Sequence, residues 1–201
     1  MKEVRDLSLE ELAERIRVCP DCRLSQERNR AVPGEGKGES ILFVGEAPGW
    51  HEDQMGRPFV GPAGQFLEEL LRSIGLKREE VFIANMVKCR PPANRDPLPD
   101  EMEACRKYLD RQIELLRPRA IVSLGRHSLA RFFPGKTISQ VHGSWRKEES
   151  TIYFAMYHPA AALHQGNLRK VIQEDMLKLP QAIREAAKAR AEKPVQQLSF
   201  F

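Results

Sequence analysis

The sequence predicts an α/β fold with three layers, α/β/α, around a central four-stranded, mainly parallel sheet. Three observations carry this expectation. Four short apolar runs, Ile41–Val44, Val81–Ala84, Ala120–Leu124 and Ile152–Met156, have strand length and read as strands buried in a core. Helical patterns alternate with them, and that alternation implies a parallel sheet covered on both faces. Each run is followed by a residue of chemical interest: Glu46, Asn85, Gly125 and His158. In a parallel sheet those ends share the carboxyl edge, where open α/β folds bind ligands.

The elements can be justified in order. Ser8-Leu9-Glu10-Glu11 is a capping box, so a helix should run to about Val18 with Leu9, Leu12 and Ile16 on one face. Cys19-Pro20-Asp21-Cys22 stops it, because proline cannot continue the hydrogen-bond ladder. Residues 33–40 form a polar, glycine-rich loop before the first strand. Residues 41–62, ILFVGEAPGWHEDQMGRPFVGP, pass from strand to a tight Gly-Glu-Ala-Pro-Gly turn, then to an acidic pair, an aromatic and a Gly-Pro helix start. From Pro62, Phe66, Leu67, Leu70, Leu71 and Ile74 follow helical spacing, and Gly75 ends it. Residues 90–99, with four prolines, read as an extended loop. Pro99-Asp100-Glu101 then opens a long helix to about Leu116 that carries Cys105. A short helix is expected after Gly125 through Phe132, and another from about Asn167 to Lys178. Residues 1–180 form the expected main domain. Residues 181–194 lack a wide apolar stripe and read as a solvated helix or linker leading into a tail that ends the 181–201 segment.

Composition narrows the class. A chain of 201 residues, 41% of them hydrophobic, can bury a core without disulfides. No apolar run reaches membrane-spanning length and the charged N-terminus has no signal-peptide core, so a cytoplasmic protein is expected. The net charge of +4 permits nucleic-acid binding without arguing for it. Four cysteines, Cys19, Cys22, Cys89 and Cys105, give a C-x2-C pair, a long gap and C-x15-C. In a reducing compartment this set points to a four-thiolate metal site, the alternative being a redox pair with two core cysteines. Zinc and an iron–sulfur cluster both accept four thiolates, and spacing does not choose between them.

Taken singly, the residues at the sheet edge have ordinary structural readings. Phe59 suits a core, Asn85 a cap, His158 a satisfied histidine, and Glu46, Glu52 and Asp53 a charged surface. Glu52 and Asp53 are adjacent, so only one is expected to face a site. Brought to one edge together, these residues make a ligand pocket the better reading.

The ordered motifs GEAPG, ED, GRPFVGPAG, NMVKCRPPANRDPLPDE and HPAA resemble the family-4 uracil-DNA glycosylases from Cys19 to about residue 169. The resemblance implies a uracil-DNA glycosylase-like fold and a monofunctional hydrolase of N-glycosyl bonds acting in base-excision repair. It implies a [4Fe–4S] cluster on Cys19, Cys22, Cys89 and Cys105, with zinc as the alternative. Phe59 would stack on a flipped uracil. The Asn85 amide would accept from N3–H and donate to O4, a pattern that rejects cytosine. Backbone around Glu46 and Ala47, together with His158, would serve O2. Family-1 enzymes have an aspartate where this chain has Ala47. Glu46 or Glu52 would therefore substitute as the water-activating group, Glu52 would guard uracil C5, or the chemistry would rest on holding the leaving group. Leu163 is the wedge candidate for the space left by the flipped base. His164, Asn167 and Arg169 would contact DNA, single- or double-stranded. Arg23, Lys88 and Arg90 would add a basic surface near the cluster.

The last residues, Gln197-Leu198-Ser199-Phe200-Phe201, resemble the pentapeptide that binds bacterial sliding clamps. The expected protein is a monomer, tethered to a clamp through Gln197, Leu198, Phe200 and Phe201. Two other functions fit part of the sequence: a broader deaminated-base glycosylase of the same superfamily, and a non-enzymatic, clamp-tethered DNA-binding module.

Overall fold

The structure is a computed structural model that describes residues 3–38 and 40–191, with side chains described to residue 185. Five strands form one sheet: β1 (Ile41–Gly45), β2 (Phe82–Asn85), β3 (Ala120–Leu124), β4 (Trp145–Glu148) and β5 (Thr151–Met156), in the order β2-β1-β3-β5-β4. The four strands expected from the sequence are all present and run parallel to one another. Asn85 is the last residue of β2, paired with Gly45, rather than the first residue beyond the strand.

The fifth strand, β4, corrects the expected count of four. It pairs antiparallel with β5 across a turn at Glu149, whose φ of 52° is left-handed. Its sequence, Trp-Arg-Lys-Glu, carries no apolar run because this edge strand is mostly exposed, with only Trp145 partly buried. Trp145 lies parallel to Phe154 and the Arg146 guanidinium sits over Tyr153. Charged side chains on an outer strand also discourage edge-to-edge pairing.

Helices cover both sheet faces. On one, α4 (Pro62–Ser73) and the long α9 (Gly166–Ala191) bury Phe66, Leu67, Leu70, Ile172, Met176 and Leu179 against Phe43, Val122 and Phe154. On the other, α5 (Pro99–Leu116) and α6 (Arg126–Phe132) pack Leu109, Leu116, Leu129 and Phe132 on Leu42, Val44 and Ile121. Strands β1 to β3 are thus buried on both sides, as their unbroken apolar runs required. α1 (Leu9–Arg17) starts at the expected Ser8–Glu11 capping box and packs beyond α5. Short helices α2 (Leu24–Glu27), α3 (Trp50–Met55), α7 (Ile138–Val141) and α8 (Ala161–His164) lie in the connections between these elements. α9 does not stop near Lys178. It continues past Pro180, and Ala182 is fully buried in the core beside a partly buried Ile183, although this stretch had shown no wide apolar stripe. No helix among the described residues is long and apolar enough to cross a membrane.

Candidate active site and four-cysteine site

The carboxyl edge of the sheet holds a cavity of about 380 Å³. Seven predicted residues line it together: Glu46, Ala47, Glu52, Phe59, Asn85, His158 and His164. They come from three strand ends, the Phe59 turn and the short helices α3 and α8, so the edge convergence expected from the sequence is realised. Gly125, after β3, sits behind them; a Cβ there would lie 3.0 Å from the Cβ of His158.

Asn85 is 2% exposed, and its Oδ1 is the one buried side-chain polar atom among the described residues without a hydrogen-bond partner. Leaving such an acceptor unmade in a folded protein costs about 1–3 kcal/mol, so a ligand donor is the natural complement. Its neighbour in the sheet must be glycine. A Cβ on Gly45 would stand 2.3 Å from that Oδ1 and 2.8 Å from the Phe59 ring. Phe59 itself has φ 50°, unusual for a residue with a side chain, and Gly64 makes room for it: a Cβ there would fall 1.9 Å from the Phe59 carbonyl oxygen.

That strained turn is clamped from two sides. Arg78 donates to the Phe59 carbonyl at 2.9 Å and to the Pro58 carbonyl, while Glu35 and Glu68 hold its guanidinium at 3.2 and 3.5 Å. Glu52 Oε1 accepts from the Val60 and Gly61 amides at 2.9 and 3.0 Å, and Oε2 from the Gly49 amide at 3.1 Å. Both Glu52 oxygens are therefore engaged with backbone. Asp53 faces away, buried, accepting from the amide of Asn29 at 3.0 Å and from its side chain.

His158 lies 5.4 Å from Phe59 between ring centroids. Its Nδ1 accepts from the Ala160 amide at 3.2 Å, which leaves its proton on Nε2. Burial pushes this imidazole down to about 4, so the ring is neutral at pH 7. Glu46 has a different environment. Burial lifts its carboxyl above the usual range; His127 and Arg126 pull it down and Asp96 pushes it up. His127 Nε2 stands 3.7 Å from Glu46 Oε2 and 3.4 Å from Asp96 Oδ2.

The segment after His158 divides. Leu163, at 47% exposed, projects from α8 beside His164. Asn167 is exposed in the first turn of α9. Arg169 is partly committed elsewhere, with its guanidinium 4.3 Å from the Phe66 ring centroid and paired to Glu69. Sequence reasoning missed Pro91, Asn94 and Arg95, which also line the cavity, and His127 beside it. The proline-rich loop gave no periodic signal. Its shape depends on left-handed Ala93 and Asn94 and on Arg95 gripping Glu101 at 2.6 and 2.9 Å.

The four cysteines line a second, smaller cavity, with none in a disulfide. The Lys88 amide donates to Cys105 Sγ at 3.3 Å, the Asp21 amide to Cys19 Sγ at 3.5 Å and Arg28 to Cys89 Sγ at 3.0 Å. Arg23 and Arg90 make ion-pair or hydrogen-bond contacts at the surface, to Asp100 and Asn94. Lys88 does not join them. It is 1% exposed and cannot face DNA, a correction to the expected basic surface. The tail residues Gln197, Leu198, Phe200 and Phe201 lie outside the described residues.

The sequence pattern of the uracil DNA glycosylase superfamily matches residues 33–179, and the chain belongs to that superfamily. Within it the chain groups with the type-4 enzymes. It is 51% identical to the type-4 uracil-DNA glycosylase of Sulfurisphaera tokodaii over 86% of this chain and 83% of the relative. For the type-4 enzyme of Saccharolobus solfataricus the identity is 46%, over 88% and 87%. For that of Thermotoga maritima it is 42%, over 90% and 97%. The protein is accordingly a uracil-DNA glycosylase, hydrolysing the N-glycosyl bond of deoxyuridine in DNA repair.

Proposed function

We propose that the cavity at the sheet edge is the uracil pocket and that its walls divide the work of excision. The observation that carries this reading is the unpartnered Oδ1 of buried Asn85, beside an aromatic ring and a neutral histidine donor. Oδ1 accepts from uracil N3–H and the amide nitrogen donates to O4. Cytosine presents the reverse pattern at those atoms, so the amide leaves its own groups unpaired with that base. Phe59 supplies the stacking face. His158 donates through Nε2–H to O2, where charge builds as the bond from C1′ to N1 breaks. Backbone at Glu46 and Ala47 lines the same end of the pocket.

Water then bonds to C1′ and gives up one proton, while the uracil anion leaves and is protonated by solvent. Glu46 is the carboxylate with room to accept that proton. Glu52, with both oxygens held by three amides, acts as a positioning residue for the Phe59 turn. Leu163 fills the space left by the flipped base, and His164, Asn167 and Arg169 flank the strand.

Cys19, Cys22, Cys89 and Cys105 suit a [4Fe–4S] cluster: four thiols from three segments around one cavity, with N–H donors directed at three sulfurs. The cluster would act as a cross-link between the N-terminal segment, the loop after β2 and α5. A brown protein containing iron and sulfide is expected; a colourless protein containing zinc would replace this assignment with the alternative metal. The C-terminal Gln197, Leu198, Phe200 and Phe201 form the proposed clamp motif. Deleting residues 197–201 should abolish capture by a bacterial sliding clamp and leave cleavage of short oligonucleotides intact.

The pocket assignment is tested with a duplex carrying one deoxyuridine, followed by alkaline cleavage at abasic sites. Asn85→Ala and His158→Ala should each lower the single-turnover rate by about 10²-fold or more. Parent-like rates in both variants would remove the pocket assignment.

A further inference from the structure

Lys88 is the most deeply buried basic side chain among the described residues, and its ammonium has specific work. Nζ donates to the main-chain carbonyl of Asn85 at 2.9 Å and to Gln112 Oε1 at 2.7 Å. Gln112 is itself buried in α5, and its Nε2 donates to the Pro33 carbonyl at 2.6 Å. The Lys88 carbonyl accepts from the Val32 amide at 2.7 Å. A chain of hydrogen bonds therefore runs from the loop before β1, through α5, to the last peptide of β2. The Asn85–Met86 peptide is thus held from both sides: the Met86 amide donates to the Gly45 carbonyl at 3.0 Å, where the paired register of β1 and β2 ends, and Lys88 takes the Asn85 carbonyl.

Burying an ammonium is costly unless hydrogen bonds replace its water. A methionine would fill much the same space without that cost, so what the lysine adds is the grip on the Asn85 carbonyl. We propose that Lys88, seated by Gln112, is a positioning residue for base recognition. It fixes the Asn85 peptide and with it the side-chain amide whose Oδ1 is free in the pocket. The inference rests on the reading of Asn85 as the base reader. It assigns Lys88 no contact with the base or with DNA.

The test compares two ligands of the whole protein. Free uracil, measured as a competitive inhibitor and by calorimetry, probes the base reader alone. Duplex DNA with a stable abasic-site analogue probes the strand-binding surface. Lys88→Met should weaken uracil binding about tenfold and lower the single-turnover rate by at least as much, the scale of one charge-assisted hydrogen bond. Affinity for the abasic duplex should stay within about twofold. Gln112→Leu, which removes the seat and leaves the lysine, should shift uracil binding in the same direction by about threefold. It keeps the question open to measurement should Lys88→Met fold poorly. Unchanged uracil binding in both variants, or equal loss for uracil and abasic DNA, would overturn the proposal. An inactive parent protein that also fails to bind uracil would instead remove the pocket assignment on which it rests.

Discussion

The Phe59 wall and the Asn85 wall of the pocket are held by opposite means. Phe59 sits on a turn outside the sheet, in a left-handed conformation that costs on the order of 1–3 kcal/mol. Charged side chains pin it: Arg78 on its carbonyl side, Glu52 on the amides that follow, with Glu35, Glu68 and Arg57 orienting Arg78 or its partners. Asn85 ends a buried strand, unstrained, with its carbonyl fixed by a buried lysine and its backbone paired to Gly45. The difference fits the work proposed for each wall. Stacking on a ring face tolerates lateral movement, whereas a hydrogen-bonding amide loses its advantage over about 1 Å. A clamped loop suffices for the first, and a strand end is needed for the second.

Gly45→Ala should show the largest effect, because that Cβ meets both walls at once. One wall must move. We expect a loss of about 10²-fold in single-turnover excision, with far-ultraviolet circular dichroism unchanged. Activity within about tenfold of the parent would show that the Phe59 turn gives way cheaply and that the clamp is loose.

Arg78→Ala breaks one wall only. The guanidinium is 13% exposed, and both of its backbone acceptors would lose their partner. A drop of about 1–3 kcal/mol in unfolding free energy is expected, with excision falling about tenfold. Arg78→Lys should recover little, since one ammonium cannot span two carbonyls and two carboxylates as a planar fork does. Equal stability of Arg78→Ala and the parent would mean that the turn holds its shape without the clamp.

Glu52→Gln is expected to cost only a few-fold. The amide oxygen still accepts from Val60 and Gly61, and only the Gly49 contact is lost. A general base at this position would lose 10²–10⁴-fold in the same variant. A loss in that range would return Glu52 to the chemistry and leave the Phe59 wall without one side of its clamp.

The two walls were also unequally legible in the sequence. Asn85 could be placed because strand ends in a parallel sheet share an edge, and the apolar runs marked those ends. His158 and Glu46 were legible for the same reason. The clamp was not. Arg78 lies in a short helical turn after α4, far from Phe59 in the chain, and nothing periodic links them. Glu52 lines the cavity, but its engagement with three amides depends on the turn closing back over α3. Lys88 reads as surface charge in any composition, and only the packed structure puts it inside. β4 escaped because a half-exposed edge strand needs no apolar run. The extent of α9 escaped because Ala182 is small enough to be buried without producing a visible stripe.

The last expected effect concerns the shape of the pH profile, and it separates the two titrating residues that meet at the pocket. His158 has its folded imidazole lowered to about 4, against an ordinary 6.5, so the unfolded chain binds the extra proton between those values. The stability this group contributes is complete above pH 6.5 and is lost as pH falls toward 4. Its neutral Nε2–H donor therefore persists through the whole working range. Glu46 shifts the opposite way, above its ordinary 4.5, with His127, Asp96 and Arg126 facing it. If it accepts the proton of water, it must be ionised, and the acid limb of the single-turnover rate belongs to Glu46. That limb should lie above pH 4.5. Glu46→Gln should lower the rate and abolish the limb, leaving a profile that stays flat until pH approaches 4, where His158 protonates. His158→Ala should lower the rate at every pH and keep the limb. A limb centred near 6.5 that vanishes in His158→Ala would show the histidine titrating in the working range, and the neutral-donor assignment would fall.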